Sequence, residues 1–235
     1  MVHLQDGHSW TRLEASMSIN LECGCVNEID VDSSVQRCLS KCEFHIKERE
    51  SLSFGKQYYE DMMKAEPSTY IKELGDALGA HFDYLLGGEA LEVGCGLSPY
   101  AEWLISLSYD YVGIDTRQYA IDWMIAQGHN AYLCSCEAIE LFRDTYDLIL
   151  AAHVLEHLRD APEQLKLLVR HVTRDGHMII IVPDDEDPCN PDHWWFFNEQ
   201  TLLSCMMNAG LTDCRIAKRK IIERESFLYA IGRKA

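Results

Sequence analysis

From Ala90 onward the chain alternates short apolar runs with amphipathic stretches, and no other feature narrows its fold as far. The runs are Ala90-Leu91-Glu92-Val93, Tyr111-Val112-Gly113-Ile114, Ala131-Tyr132-Leu133, Leu148-Ile149-Leu150-Ala151 and Met178 to Val182. Most are bounded by Gly, Asp or Pro, as strands buried in a parallel sheet are. Helices are expected between them. One spans Pro99 to Leu107 with Pro at its first position, and another runs from Arg117 to Ala126 against Gly128. A third opens at Asp160-Ala161-Pro162, carries Leu165, Leu168 and Val169 on one face, and is stopped by Gly176. A last helix, Glu199 to Ala209, ends at Gly210 and leads into strand-like runs at Leu211 to Ile216 and Ser226 to Ile231, an antiparallel finish. Such alternation predicts a doubly wound α/β sheet with helices on both faces and a ligand at the carboxyl ends of its strands.

The rest of the chain is less regular. Lys56 to Leu86 reads as one or two helices broken at Pro67, with Tyr58 and Tyr59 placed to lid a ligand or to pack in the core. Residues 1 to 50 lack periodicity and hold Cys23, Cys25, Cys38 and Cys42, four of the chain's ten cysteines. The expected organisation is therefore a Cys-rich appendage over 1–50 and a main domain over 51–235. No apolar run approaches the roughly 18 residues of a membrane span, and the N-terminus does not read as a signal peptide. A cytoplasmic chain with thiols or metal ligands rather than disulfides is expected. The spacing Cys23-Gly24-Cys25 and Cys42-Glu43-Phe44-His45 suits a tetrahedral structural zinc, with Cys38 as the alternative to His45.

The stretch Leu91-Glu92-Val93-Gly94-Cys95-Gly96-Leu97-Ser98-Pro99 joins the first strand to the first helix. Gly94 and Gly96 let the backbone turn sharply and approach a ligand. Asp115, at the end of the next strand, can accept both hydroxyls of a ribose. A dinucleotide loop wants a third glycine where Pro99 stands, and Glu92 would repel phosphates. A donor with a cationic amino group and no phosphate fits better, and S-adenosylmethionine (SAM) is such a donor.

These residues resemble the first motif of class I SAM-dependent methyltransferases, in the group that includes the ubiquinone-pathway O-methyltransferases. The later segments follow in the family's order: Val112 to Asp115, Tyr146 to Leu150, Val154-Leu155-Glu156-His157-Leu158, Gly176 with Met178 to Pro183, and Ala209-Gly210-Leu211. The resemblance covers about residues 56 to 232. It implies a Rossmann-like seven-stranded sheet and a cofactor site of Glu92, Gly94, Cys95, Gly96, Ser98, Asp115, Thr116, Cys136, Glu137, Ala152 and Tyr59. Ser98 stands where the family often has a third glycine, and its N–H is expected to point at the ligand. The acidic residue common after the third strand is replaced within Leu133 to Glu137, leaving adenine to the backbone of Cys136 or to Glu137. The implied chemistry is in-line displacement at the sulfonium methyl, needing a base only where the acceptor must lose a proton.

Candidates on the acceptor side are His153, His157 and His193, with Glu156, Asp184 and Asp185 beside them. His153, Glu156 and His157 stand at helical i, i+3 and i+4 spacing. With the distant His193 they form a candidate second divalent-metal site, similar to the acidic and His ligands of some small-RNA 2′-O-methyltransferases. The alternative makes Glu156 and His157 supporting groups and leaves His153 to line the acceptor pocket. The run His153-Val154-Leu155-Glu156-His157 also matches a zinc-protease signature, which its place after a buried strand argues against. Asp184 to Asp187 is a solvated loop or selects a cationic acceptor. Some of Trp194-Trp195-Phe196-Phe197 should wall a pocket for an aromatic or apolar acceptor.

A small-molecule acceptor is the first expectation. A formal net charge of −17 opposes broad nucleic-acid binding, although seven of the 21 basic side chains fall within residues 215 to 235. A methyltransferase of nucleic acid or modified nucleotides, using the zinc module and that basic cluster, is the second reading. A non-catalytic SAM-binding scaffold is the third.

Overall fold

The computed structural model describes residues 67–79, 85, 87–141, 145–184, 193–222 and 225–235, together with the backbone of three short strands nearer the N-terminus. Those strands are β1 (Met17–Asn20), β2 (Val26–Asp30) and β3 (Val35–Cys38). Helix α1 (Pro67–Leu78) follows, with Pro67 as its first described residue; the stretch 56–66 lies outside the described residues.

The main domain then alternates as expected. Strand β4 (Gly88–Val93) is followed by α2 (Ala101–Ser106), β5 (Tyr109–Asp115), α3 (Gln118–Ala126) and β6 (Ala131–Leu133). After β7 (Tyr146–Ala152) come α4 (Ala161–Arg170), β8 (Val172–Pro183), the two-residue β9 (Trp195–Phe196) and α5 (Glu199–Asn208). The long strands β10 (Leu211–Ile222) and β11 (Glu225–Lys234) finish the chain. The seven-stranded sheet has the order β10-β11-β8-β7-β4-β5-β6. Its β4, β5, β6, β7 and β8 pair in parallel, and β11 and β10 close it antiparallel.

Strand alternation sorts the core into two layers. Leu91, Val93, Ile149 and Ala151 face one way and meet Leu165 and Leu168 of α4 and Leu202 and Met206 of α5. Ala90, Tyr111, Leu148 and Leu150 face the other way and meet Leu74 of α1, Leu104 of α2 and Met124 of α3. Glu92 falls on this second face, where a carboxylate has to find its own partners. Among the described residues, no helix is long and apolar enough to cross a membrane.

Two expected boundaries are corrected. Gly176 does not stop α4, which ends at Arg170; it lies inside β8, where a Cβ would meet the Thr173 hydroxyl at 2.6 Å and the Asp147 carbonyl oxygen at 2.9 Å. The glycine answers a need for close strand packing. Helix α2 starts at Ala101, two residues after Pro99, with Tyr100 at its N-cap; just ahead of it the Ser98 hydroxyl accepts hydrogen bonds from the N–H groups of Tyr100 (3.1 Å) and Ala101 (2.9 Å). Pro99 therefore lies before the helix and not at its first position.

Candidate functional site

At the carboxyl end of β4 the chain turns through Gly94 (φ 65°) and Gly96 (φ 52°), both in the left-handed region. The Cys95 N–H donates to the Ile114 carbonyl (3.0 Å), which lays the loop across the end of β5. Asp115 is met there from both sides. Gly96 N–H donates to its Oδ2 (2.9 Å) and Arg117 N–H to its Oδ1 (2.8 Å). Burial raises the Asp115 pKa, and these backbone donors work against that rise. Each carboxylate oxygen keeps a second lone pair, the acceptor pattern that two vicinal hydroxyls require.

Glu92 lies beneath the loop, almost fully buried, and its Oε2 accepts from Ser98 Oγ (2.5 Å) and Tyr111 OH (2.6 Å). Burial is the main reason its carboxyl is pushed up to about 7; the two hydroxyls pull it down and nearby Asp115 pushes it up. Ser98 does not aim its N–H at a ligand as expected, because that N–H is spent on the Cys95 carbonyl (2.8 Å). Its hydroxyl instead ties Glu92 to the start of α2. The first N–H groups of α2, which would cradle a pyrophosphate in a dinucleotide site, are therefore occupied by Ser98 with a carboxylate behind them. The pattern rejects phosphate and tolerates a cation.

Past β7, His153 takes a left-handed φ of 56° and donates its N–H to the Ile181 carbonyl (2.8 Å). Leu155–His157 forms a single 3₁₀ turn. The expected helix face shared by His153, Glu156 and His157 is thus absent, since His153 stands outside helical backbone. Glu156 is nonetheless a meeting point. His153 Nδ1 lies 3.4 Å and His157 Nε2 3.9 Å from its Oε1. The Trp194 N–H donates to the Glu156 carbonyl (2.7 Å), which brings buried His193 to within 5.0 Å of the His157 ring. His153 also packs edge-on against Phe227, with ring centroids 5.0 Å apart.

Of the remaining expected residues, Thr116 follows β5, Ala152 ends β7, and Cys136 opens a 3₁₀ segment, Cys136–Leu141, that also contains Glu137. The Cys134 N–H donates to the Asp115 carbonyl (2.8 Å), so this segment continues from the Asp115 side of the site. Trp195, Phe196 and Phe197 are buried, with Trp195 and Phe197 in the α4–α5 layer. Phe196 sits beside His193 (6.3 Å), and Arg159 covers the Trp194 ring at 5.0 Å. Several basic side chains near the C-terminus are engaged within the protein. Arg233 pairs with Asp175 (2.6 Å) and Asp213 (3.1 Å), Lys218 with Asp184, and Lys234 donates to the Arg170 and Val172 carbonyls. Tyr58, Tyr59, Cys23, Cys25, Cys42, His45 and Asp185 to Asp187 lie outside the described residues, as does the side chain of Cys38.

Two residues that sequence reasoning missed shape the loop. Tyr111 supplies a hydroxyl to Glu92 across the space left by Gly113, where a Cβ would lie 2.8 Å from that hydroxyl oxygen. The signal was the Tyr111, Gly113, Asp115 alternation on one face of β5. Val154 packs on Gly94 so closely that a Cβ there would stand 2.5 Å from Val154 Cγ2. It joins the cofactor loop to the His153–His157 segment.

Residues 64–215, more than half the chain, match the family model described as a methyltransferase domain. The fold is similar to that of a SAM-dependent methyltransferase from Archaeoglobus fulgidus (TM-score 0.60, 16% identity, 75% of this chain and 98% of that one). It is also similar to a 1,6-didemethyltoxoflavin N1-methyltransferase from Burkholderia thailandensis, solved with 1,6-didemethyltoxoflavin and S-adenosylhomocysteine (TM-score 0.61, 15% identity, 87% and 97%). A third likeness is to an N-methyltransferase from Haemonchus contortus, solved with phosphomonomethylethanolamine and S-adenosylhomocysteine (TM-score 0.55, 10% identity, 63% and 49%). At these identities the likeness is one of fold. A search of curated protein sequences returns no significant match.

Proposed function

Since this chain belongs to the family of class I SAM-dependent methyltransferases, we propose that it transfers the SAM methyl group to a small-molecule acceptor held over the carboxyl ends of β7 and β8. The observation that carries the proposal is the Asp115 carboxylate, fixed by Gly96 and Arg117 N–H groups with a lone pair left on each oxygen. When bound, SAM supplies a methyl group already activated by the sulfonium charge. The chain's own work is binding and alignment. Asp115 accepts the ribose hydroxyls, Gly94 and Gly96 allow backbone approach, and Glu92 offsets the ammonium charge. Cys95, Ser98, Thr116, Cys136, Glu137 and Ala152 complete the donor's surroundings, with Tyr59 as a lid.

On the acceptor side, His153 beside Phe227 and His193 beside Phe196 offer polar groups against aromatic walls, which suits a planar acceptor. His153 is the group that would take a proton from a hydroxyl acceptor. Two of the similar structures hold small molecules, and the basic side chains near the C-terminus are drawn into internal pairs; both favour a small acceptor over a polymer. The cysteine cluster remains a proposed structural zinc site on its spacing.

Calorimetry tests the reading. S-adenosylhomocysteine and SAM should bind with one site per chain, and turnover of a small-molecule panel should yield S-adenosylhomocysteine. No heat with either, alongside clean titration by NAD or ATP, overturns it.

A further inference from the structure

We infer that Glu156, His157 and His193 form a binding site for one divalent first-row transition-metal ion. One ligand atom from each gathers so that all three lie within 4.8 Å of one another, and no other such group occurs among the described residues. Ligands of a bound ion, each about 2.0–2.2 Å from the metal, stand about 3–3.5 Å apart. Binding therefore needs a contraction of roughly 1 Å, well within the reach of three side chains.

The independent observation is at Glu156. Its side chain is 1% exposed, and among the described residues neither Oε1 nor Oε2 has a hydrogen-bond partner. The His153 and His157 nitrogens flank Oε1 at 3.4 and 3.9 Å but do not satisfy it. A buried carboxylate with neither oxygen bonded is costly and rare in a native fold. A cation bridging this carboxylate and two imidazoles removes the deficit in one step.

The donor set selects the ion. Two imidazoles and one carboxylate suit Zn²⁺, Fe²⁺ or Co²⁺, whereas Mg²⁺ and Ca²⁺ prefer oxygen ligands throughout. The scaffold is braced: the Trp194 N–H to Glu156 carbonyl bond (2.7 Å) locks the two ligand-bearing segments together, and Phe196 backs the His193 ring. Three protein ligands leave a coordination position open. The acceptor's oxygen or nitrogen would take it, a clause that rests on the methyltransferase reading, whereas the metal site does not.

The test is Co²⁺ binding to the full-length, metal-stripped protein, followed by absorption spectroscopy and calorimetry. Thiolate ligation gives intense near-ultraviolet charge-transfer bands; an imidazole–carboxylate site gives only weak visible bands, so the cysteine cluster is told apart. One equivalent that adds no thiolate bands is expected, counted apart from any Co²⁺ that the cysteine cluster takes up with them. His157→Ala and His193→Gln should weaken it by at least about a hundredfold while retaining S-adenosylhomocysteine binding, which serves as the folding control. Glu156→Gln, which also removes the buried charge, should lose the same equivalent and gain thermal stability. Unchanged Co²⁺ binding in the variants, or Co²⁺ seen only with thiolate bands, overturns the inference. Wild-type protein that binds Co²⁺ without thiolate bands but gives no heat with S-adenosylhomocysteine would sink the proposed function and leave the metal site standing.

Discussion

Glu92→Gln separates a structural carboxylate from a titrating one. In the wild type, burial moves this carboxyl from its ordinary 4.5 to about 7, against the pull of the Ser98 and Tyr111 hydroxyls. The folded state therefore holds the proton more tightly than the unfolded chain. The resulting stability is fully present below pH 4.5 and is lost as pH rises through 7. At about 1.4 kcal/mol per pKa unit, the swing is on the order of 3 kcal/mol. Glutamine keeps an amide oxygen for both hydroxyl donors and does not titrate. Urea unfolding without ligand, at intervals from pH 4.5 to 8, should show wild-type stability falling relative to Glu92→Gln by about that amount, since the other carboxylates cancel in the difference. With the SAM ammonium near Glu92, as proposed, the charged form is favoured on binding, so wild-type affinity should climb between pH 6 and 8 while the variant's stays flat and weaker. A stability difference that does not change with pH would refute the account of Glu92.

Asp115→Asn puts an amide N–H₂ against the Gly96 or Arg117 N–H; the loss of one charge-assisted bond should weaken SAM binding by roughly 10- to 100-fold in calorimetry. Gly94→Ala adds a Cβ at φ 65° that lies 2.5 Å from Val154 Cγ2, and should cost about 1–3 kcal/mol in thermal unfolding, with part restored by adding Val154→Ala. Ser98→Ala leaves Glu92 with Tyr111 alone and uncaps the Tyr100 and Ala101 N–H groups; stability should fall by about 2 kcal/mol, and the pH midpoint assigned to Glu92 should move up, read by the same urea series.

The strands of the main sheet were legible because burial on both faces writes a continuous apolar run, and Asp115 was legible because its distance from Gly96 is fixed by one β-α-β unit. Errors arose where a residue's local preference met a tertiary demand. Gly176 reads as a helix stop, but close packing against Thr173 and Asp147 puts it inside β8. Pro99 reads as a first helical residue, yet the helix begins at Ala101, after a turn in which the Ser98 hydroxyl, anchored on Glu92, accepts from the Tyr100 and Ala101 N–H groups. His153, Glu156 and His157 read as a helical face, and the left-handed turn at His153, held by Ile181, undoes that spacing. They still converge, through a partner 36 residues past Glu156's turn neighbour His157, and no local pattern announces such a meeting. Val154 was invisible as a site residue because its importance depends on the glycine it faces, and Tyr111 was marked only by its alternation with Gly113 and Asp115.

The two halves of the site have different foundations. The side-chain hydrogen bonds described for Asp115 and Glu92 come from residues between Glu92 and Arg117, within β4, β5 and the turns that follow them. His193, by contrast, is two residues before β9, and β9 belongs to a second sheet, β1-β2-β3-β9, in which Arg37 pairs with Trp195 and Gln36 with Phe196. The N-terminal strands thus brace the segment that brings His193 to Glu156. Deleting residues 1–50 removes that brace and leaves a two-residue strand unpaired on one edge, too short to hold its course alone. S-adenosylhomocysteine affinity should survive the deletion, while the Co²⁺ equivalent at Glu156, His157 and His193 weakens and acceptor turnover falls. The comparison needs only calorimetry on both proteins, and a parallel loss of both affinities would show that the halves are not built separately.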